Sequence, residues 1–120
     1  MSGELSAETI AYKILTAPQM ANLLENGSFT GAPVDLADGY IHLSTAGQVR
    51  TTLEKHFAGQ TGLYIAAVDL ALLGDTVKWE VSRGGALFPH LYADLPLEAV
   101  IAHGSVGFDN AGILMLPAAV

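Results

Sequence analysis

The alternation of apolar and polar residues along the chain predicts two early helices separated by a loop. Residues 16–19 and 45–48 both match a capping box, in which a threonine opens a helix and a glutamine three positions later folds back on it. Apolar residues at helical spacing follow each box, and Gly27 suits a left-handed end to the first helix. Residues 29–39 contain closely spaced glycine, proline and aspartate, which predict a loop.

Strands are predicted where short apolar runs or strict alternation are bounded by glycine and polar residues. The predicted strands cover residues 9–15, 39–45, 63–69, 77–82, 87–92, 98–103 and 113–116. Two early helices followed by a run of strands favour an α+β fold over a doubly wound α/β fold. A chain of 120 residues is expected to form a single domain, with the polar residues 1–8 loosely held.

The charge balance and the absence of cysteine exclude several classes of function. Twelve acidic residues against five basic ones give a net charge of −7, which argues against general nucleic-acid binding. Without cysteine, thiolate nucleophiles and cysteine-based metal sites are excluded, and the histidines lack the spacing of a metal site. No apolar run is long enough to span a bilayer, and no signal-peptide pattern is seen. A cytoplasmic protein is expected, and its oligomeric state is left open.

The predicted strand at residues 39–45 places polar side chains beside a helix start. Alternation puts Tyr40, His42 and Ser44 on one face, and the strand ends where Thr45 opens the second helix. An imidazole, a hydroxyl and free backbone N–H groups could together hold an anionic or carbonyl group. The alternative is structural, with His42 a buried, hydrogen-bonded histidine and Thr45 a simple cap.

Residues 78–92 concentrate charged and aromatic side chains, although only 14% of the chain is charged. Lys78 and Glu80 share one strand face, where Glu80 can act as a hydrogen-bond acceptor or general base. Arg83 precedes a Gly-Gly turn and can grip a carboxylate or phosphate. His90 and Tyr92 share a face of the returning strand and can stack on a base or sugar. A strand with one solvated face explains the same pattern without a ligand.

Residues 33–45 and 78–92 closely resemble motifs of a small bacterial family, domain of unknown function 952, and residues 12–14 match its opening strand. The resemblance covers about residues 12–103. The fold of this family is understood to resemble that of ADP-ribosyltransferases, which bind NAD between two mostly antiparallel sheets. The resemblance implies that His42 contacts the ribose of NAD and that Glu80 acts as polariser or base. It also implies that Tyr92 or Trp79 stacks on nicotinamide.

The sequence therefore predicts an α+β fold of the ADP-ribosylation type, with two mostly antiparallel sheets and two main early helices. The predicted function is binding of NAD or a related nucleotide and transfer of an ADP-ribosyl group. The predicted catalytic residues are His42 and Glu80, and the predicted ligand-binding residues are Tyr40, Ser44, Thr45, Lys78, Arg83, His90 and Tyr92. One alternative is a non-catalytic module for a small metabolite or a partner protein. Another is a structural role, in which Glu80, Arg83 and His42 satisfy one another.

Overall fold

The computed structural model describes residues 9–111 and 114–116. Residues 1–8, and residue 113 of the last predicted strand, lie outside the described residues. The helices are α1 (Ala17–Asn26), α2 (Pro33–Asp38) and α3 (Val49–His56). The strands are β1 (Ile10–Thr16), β2 (Ser28–Phe29), β3 (Ile41–His42), β4 (Leu63–Asp69), β5 (Val77–Val81), β6 (Leu87–Leu91), β7 (Leu95–Pro96), β8 (Val100–Ser105), β9 (Gly107–Phe108) and β10 (Leu114–Met115).

Within the described residues, the strands form two three-stranded antiparallel sheets and two two-stranded ladders. One sheet has the order β1-β4-β8 and the other β3-β6-β5, while β2 pairs with β7 and β9 with β10. Tyr12 and Ser44 link the two larger sheets by backbone hydrogen bonds, 2.7 Å from Tyr12 N to Ser44 O and 2.9 Å from Ser44 N to Tyr12 O. The chain is thus a small α+β structure with antiparallel sheets and few helices.

The first predicted helix forms with the capping box that its sequence predicts, whereas the second helix begins later. Thr16 Oγ1 accepts from the N–H of Gln19 at 3.3 Å, and Gln19 Oε1 accepts from the N–H of Thr16 at 2.9 Å. Gly27 ends α1 in a left-handed conformation, with φ 75°. At the second box Gln48 Oε1 accepts from Thr45 N–H at 3.0 Å, and α3, which starts one residue later, has no side-chain cap.

The loop predicted at residues 29–39 contains a helix, α2, so that prediction is wrong. Pro33 occupies the first turn, where its fixed φ suits a helix and its missing N–H is not needed. Gly39 ends the helix with φ 88°. Asp35 Oδ2 accepts from the N–H of Ala32 at 2.8 Å, which satisfies a donor at the helix start. The residues that suggested a loop are therefore the start and stop signals of a short helix.

The strand predicted at residues 39–45 is shorter in the structure because the chain changes partners. Only Ile41–His42 forms a ladder with β6. Leu43 N–H still donates to Pro89 O at 3.1 Å, but the next residue, Ser44, bridges to Tyr12 of β1. This extended segment passes from one sheet to the other, and it brings side chains of both sheets to one junction.

The strands predicted at residues 77–82 and 87–92 are confirmed as β5 and β6, which form an antiparallel hairpin. Its register pairs Lys78 with His90 and Glu80 with Phe88, so these four side chains share one face. His42 lies opposite His90 on the neighbouring strand, and its side chain is on that face as well. The hairpin therefore presents polar and aromatic side chains on one face of its sheet.

Two apolar clusters hold the elements together. The larger cluster joins α1, β1 and β6 through Leu23, Leu15 and Leu91, which have no exposed surface. The smaller cluster packs Leu53 of α3 against Ile65 of β4. None of the described helices is both long and apolar enough to cross a membrane.

Candidate functional site

A cavity of about 520 Å³ lies beside the bridge between Tyr12 and Ser44, where the two larger sheets meet. The polar side chains on its wall that carry the argument below are those of Lys13, Asp38, His42, Ser44, Thr52 and His90. Its apolar and aromatic wall includes Tyr12, Ile14, Leu43, Phe57 and Phe88. A mostly apolar pocket with a few convergent polar groups is the usual form of a small-molecule site.

Lys13, on the cavity wall, forms a buried ion pair with Asp35, which does not itself line the cavity. Lys13 Nζ lies 3.1 Å from Asp35 Oδ1 and 2.9 Å from Asp35 Oδ2, and it also donates to the carbonyl of His42 at 3.2 Å. Asp35 is only 1% exposed and accepts further bonds from the backbone N–H groups of Ala32 and His42. All of these bonds except the one to the His42 carbonyl are made to the carboxylate of Asp35, so they favour its ionised form.

The ionisation of this pair reflects a competition between burial and pairing. Burial opposes ionisation of Asp35, but the hydrogen bond from His42 and the charge and hydrogen bond of Lys13 outweigh it. Together they lower the pKa of Asp35 from 3.8 to about 2. Burial lowers the pKa of Lys13, and the charge and hydrogen bond of Asp35 offset part of that shift.

The imidazole of His42 is held between two carboxylates. Its Nδ1 lies 2.6 Å from Asp35 Oδ1, and its Nε2 lies 2.9 Å from Asp38 Oδ2. The short α2 helix and the turn at Gly39 produce this arrangement, because they return the chain past both aspartates of the helix. Ionised carboxylates only accept hydrogen bonds, so both ring nitrogens are satisfied when each carries a proton. His42 lines the cavity, but its polar atoms are engaged within the protein.

A second carboxylate–imidazole pair is formed by Glu80 and His90. His90 Nδ1 lies 2.7 Å from Glu80 Oε1, and the hydroxyl of Tyr92 donates to the same oxygen at 2.7 Å. The hydrogen bonds from Tyr92 and His90 lower the pKa of Glu80. The hydrogen bond to Glu80, with desolvation and the charge of Glu80, raises the pKa of Tyr92 to about 12. Glu80 itself does not line the cavity, whereas His90 does.

The second ring nitrogen of His90 is open to the cavity. His90 is only 2% exposed, and among the described residues no group bonds to its Nε2. Every fully buried side-chain nitrogen or oxygen in the described part of the chain has a hydrogen-bond partner. Since Nε2 has none, it is not fully buried, and because His90 lines the cavity we assign this opening of Nε2 to the cavity. Glu80 fixes the proton on Nδ1, which leaves the lone pair on Nε2 when the ring is neutral.

The ring of Tyr40 packs against both imidazoles, which also contact each other edge to face. Its ring stacks on His90 with centroids 4.0 Å apart and packs on His42 at 4.7 Å in a tilted arrangement. Desolvation and the charges of Asp38 and Glu80 raise the pKa of Tyr40. The phenol therefore stays neutral, and it fixes the two rings 5.7 Å apart.

Ser44 reaches the cavity but is not arranged as a nucleophile. Thr52 Oγ1 donates to the carbonyl of Gln48 at 3.1 Å and lies 3.0 Å from Ser44 Oγ. Either hydroxyl can donate in the second contact. In both arrangements Ser44 Oγ keeps at least one lone pair.

The other predicted site residues do not line the cavity, or their side chains lie outside the part of the chain that the structure describes. Thr45 is half-buried at the start of the turn before α3, and its N–H is bonded to Gln48. Lys78 is exposed on β5 near Glu80, whose pKa it helps to lower. The side chain of Arg83 lies outside the described part of the structure, so its role stays a prediction. The structure thus brings Tyr40, His42, Glu80, His90 and Tyr92 together, with Ser44 on the same cavity.

Lys13, Asp35 and Asp38 belong to the site but were not among the predicted site residues. Lys13 interrupts an apolar strand, and a lone charge in such a run is a signal for a buried partner. Asp35 and Asp38 were assigned to a loop, although Pro33 before them and Gly39 after them mark a helix. Within the described residues, no group of three or more metal-ligating side chains could hold a metal ion.

The chain is similar to a known family and to solved structures. A family model described as "Protein of unknown function (DUF952)" matches residues 14–103. The crystal structure of protein CC0527 from Caulobacter crescentus is 43% identical, the match covers 89% of this chain and 94% of that one, and the TM-score is 0.83. A solution NMR structure of CC0527 matches with 44% identity, 88% and 90% coverage and a TM-score of 0.77. No curated protein matches the chain. By the extent of the family match and the identity to CC0527, this chain belongs to the DUF952 family of proteins of unknown function.

Proposed function

We propose that the cavity binds a small polar organic molecule and that His90 exchanges a proton with it. The observation that carries this proposal is the pair formed by His90 Nδ1 and Glu80 Oε1 at 2.7 Å, with the opposite ring nitrogen open to the cavity. A carboxylate that fixes one nitrogen of an imidazole sets the tautomer and leaves the other nitrogen as a general base. In this proposal His90 is the catalytic residue and Glu80 is a positioning residue.

The finer form of the proposal is that the ligand is NAD or a related nucleotide, on a fold of the ADP-ribosyltransferase type. Its support is the motif resemblance at residues 33–45 and 78–92, together with the two histidines on one cavity. In ADP-ribosyl transfer the bond between nicotinamide and the ribose carbon breaks, and nicotinamide leaves with the electron pair. An acceptor hydroxyl or amine forms the new bond and gives its proton to His90. His42 contacts the ribose in this proposal through its ring carbons, because its nitrogens are engaged.

A non-catalytic binding module is the second candidate. It is favoured because most polar groups of the site already have hydrogen-bond partners within the protein. Both ring nitrogens of His42 and the ammonium of Lys13 already have partners within the protein. Ser44 Oγ is bonded to the hydroxyl of Thr52, which is not a general base, so it is not poised for attack on a substrate. A cavity that presents the open nitrogen of His90 can recognise a ligand without transforming it.

Calorimetry with NAD, ADP-ribose and nicotinamide tests the proposal on wild-type protein and on His90→Gln. The matched control is His103→Gln, because His103 is exposed on β8 and does not line the cavity. We expect binding by wild type and the control, and about tenfold or greater weakening in His90→Gln. Thermal melts must show that His90→Gln is folded. If no ligand binds wild type at millimolar concentration, the nucleotide form of the proposal is wrong.

Release of nicotinamide from NAD separates the two candidates. A transferase or hydrolase releases nicotinamide with wild type and the His103→Gln control, and the rate falls by about a hundredfold or more in His90→Gln. Glu80→Gln keeps the hydrogen bond but not the charge, so an intermediate loss is expected. If wild-type protein binds NAD and releases no nicotinamide, the non-catalytic module is supported instead.

A further inference from the structure

The cavity wall presents open acceptors, while its main charged donors are already engaged. Lys13 directs its ammonium at Asp35 and at the carbonyl of His42, and His42 directs both nitrogens at aspartates. His56 also lines the cavity and has interactions of its own within the protein. An anionic ligand would therefore have to displace an internal bond to gain a charged partner, which is costly for a buried group.

Three acceptors on the same wall have capacity to spare. Asp38 uses Oδ2 for His42 and is 46% exposed at its side chain, which leaves Oδ1 accessible. Ser44 Oγ keeps at least one lone pair, and neutral His90 keeps the lone pair of Nε2. A ligand that carries hydrogen-bond donors or a positive charge meets these groups without breaking a bond inside the protein.

The rest of the wall suits the body of an organic cation. Tyr12, Phe57 and Phe88 contribute aromatic surface to the cavity. A cation over an aromatic face is attracted by the ring quadrupole, and the attraction is stronger when water is excluded. The charges near the cavity do not oppose a cation, since the ammonium of Lys13 is paired with Asp35 and the exposed carboxylate of Asp38 uses only one oxygen for His42.

We propose that the group that binds beside Asp38 in this cavity is a nitrogen-containing organic cation of the pyridinium or amine class, and not a phosphate or carboxylate. This inference rests on the proposed function, because it uses the same cavity. It makes the nicotinamide ring of NAD, which is a substituted pyridinium, the part that enters the cavity. The pyrophosphate of NAD then lies outside the cavity, so it does not need a charged donor on the cavity wall.

Three ligands of nearly equal shape test this inference. The N-methylnicotinamide cation, neutral nicotinamide and the nicotinate anion differ mainly in charge, and their affinities are measured by NMR titration near neutral pH. We expect the cation to bind most tightly and the anion most weakly. In Asp38→Asn the advantage of the cation over nicotinamide should fall by about five- to tenfold. Asp75→Asn, an exposed site with the same change in net charge, should leave it unaltered.

The possible outcomes separate this inference from the proposed function. If nicotinate binds as tightly as the cation or more tightly, the inference is wrong while the cavity remains a ligand site. If Asp75→Asn lowers the cation's advantage as much as Asp38→Asn does, the preference comes from net charge and the inference is also wrong. If no ligand binds and His90 resonances do not shift with any of them, the inference fails. The proposed function then fails only if NAD and ADP-ribose also show no binding.

Discussion

At the residue scale, the least replaceable group is the carboxylate of Asp35. It is 1% exposed, and it joins the buried ammonium of Lys13 to the imidazole of His42. Such a pair adds little to stability compared with well-packed apolar residues, but removal of one partner leaves an uncompensated buried charge. Asp35 therefore sets the position of His42 as well as the stability of the junction between the sheets.

Replacement of Asp35 by Asn should destabilise the protein by about 3–5 kcal/mol, because the ammonium of Lys13 loses its counter-charge. The free energy of unfolding is measured by urea denaturation, with Asp75→Asn as an exposed control that should change it by less than about 0.5 kcal/mol. The double variant Lys13→Met with Asp35→Asn should recover at least half of the loss. A double variant no more stable than the single one would contradict this explanation.

The loss of stability in acid should depend on the carboxylate of Asp35. The pKa of Asp35 is about 2 in the folded protein against an ordinary value of 3.8, so its contribution to stability is present above the ordinary value and is lost as the pH falls toward about 2. This contribution is about 2 kcal/mol. The unfolding free energy of wild type should therefore fall more steeply with acid than that of Asp35→Asn. Parallel profiles would contradict the assignment.

The phenol of Tyr92 should titrate at unusually high pH. Its hydrogen bond to Glu80 and the charge of that carboxylate raise its pKa to about 12. Spectrophotometric titration should show a tyrosine transition near pH 12 that disappears in Tyr92→Phe and moves to lower pH in Glu80→Gln. If the transition near pH 12 is unchanged in Tyr92→Phe, it does not belong to Tyr92 and the assignment is wrong.

At the element scale, several local signals in the sequence predicted structure well, but the start and stop residues of α2 predicted a loop, and the non-local pairings were not predicted. The capping box at Thr16, the glycine at the end of α1 and the alternation of β5 and β6 depend on neighbours in the chain, so they can be read from it. The bridge from Tyr12 to Ser44 and the pair of Lys13 with Asp35 join residues that are far apart in sequence. Pattern alone does not specify which distant strand or carboxylate a residue will meet.

The two capping boxes give a direct test at this scale, because the sequence does not distinguish them. Thr16→Ala should cost about 1 kcal/mol, since its hydroxyl accepts from Gln19 N–H at the start of α1. Thr45→Ala should cost less than about 0.5 kcal/mol, because α3 begins beyond it without a side-chain cap. Both values come from urea denaturation. Equal losses would mean that the Thr45 hydroxyl stabilises the second helix after all.

At the scale of the whole molecule, the cavity exists because one extended segment leaves the β3-β6-β5 sheet and joins β1. That change of partner brings Lys13 beside His42, while the β3-β6 ladder sets His42 next to His90. The sequence therefore predicts only part of the candidate site. The motif residues Tyr40, His42, Glu80, His90 and Tyr92 could be named in advance, whereas the distinction between the open nitrogen of His90 and the engaged nitrogens of His42 requires the fold.

The central claim is that His90, held by Glu80, faces a ligand in this cavity. The most direct measurement is NMR of the imidazole nitrogens while NAD is added to wild-type protein. We predict a saturable shift of His90 Nε2 with little change at Nδ1, which stays bonded to Glu80, and no shift at His103. An unchanged His90 Nε2 at millimolar NAD, or a shift of the same size at His103, would contradict the claim.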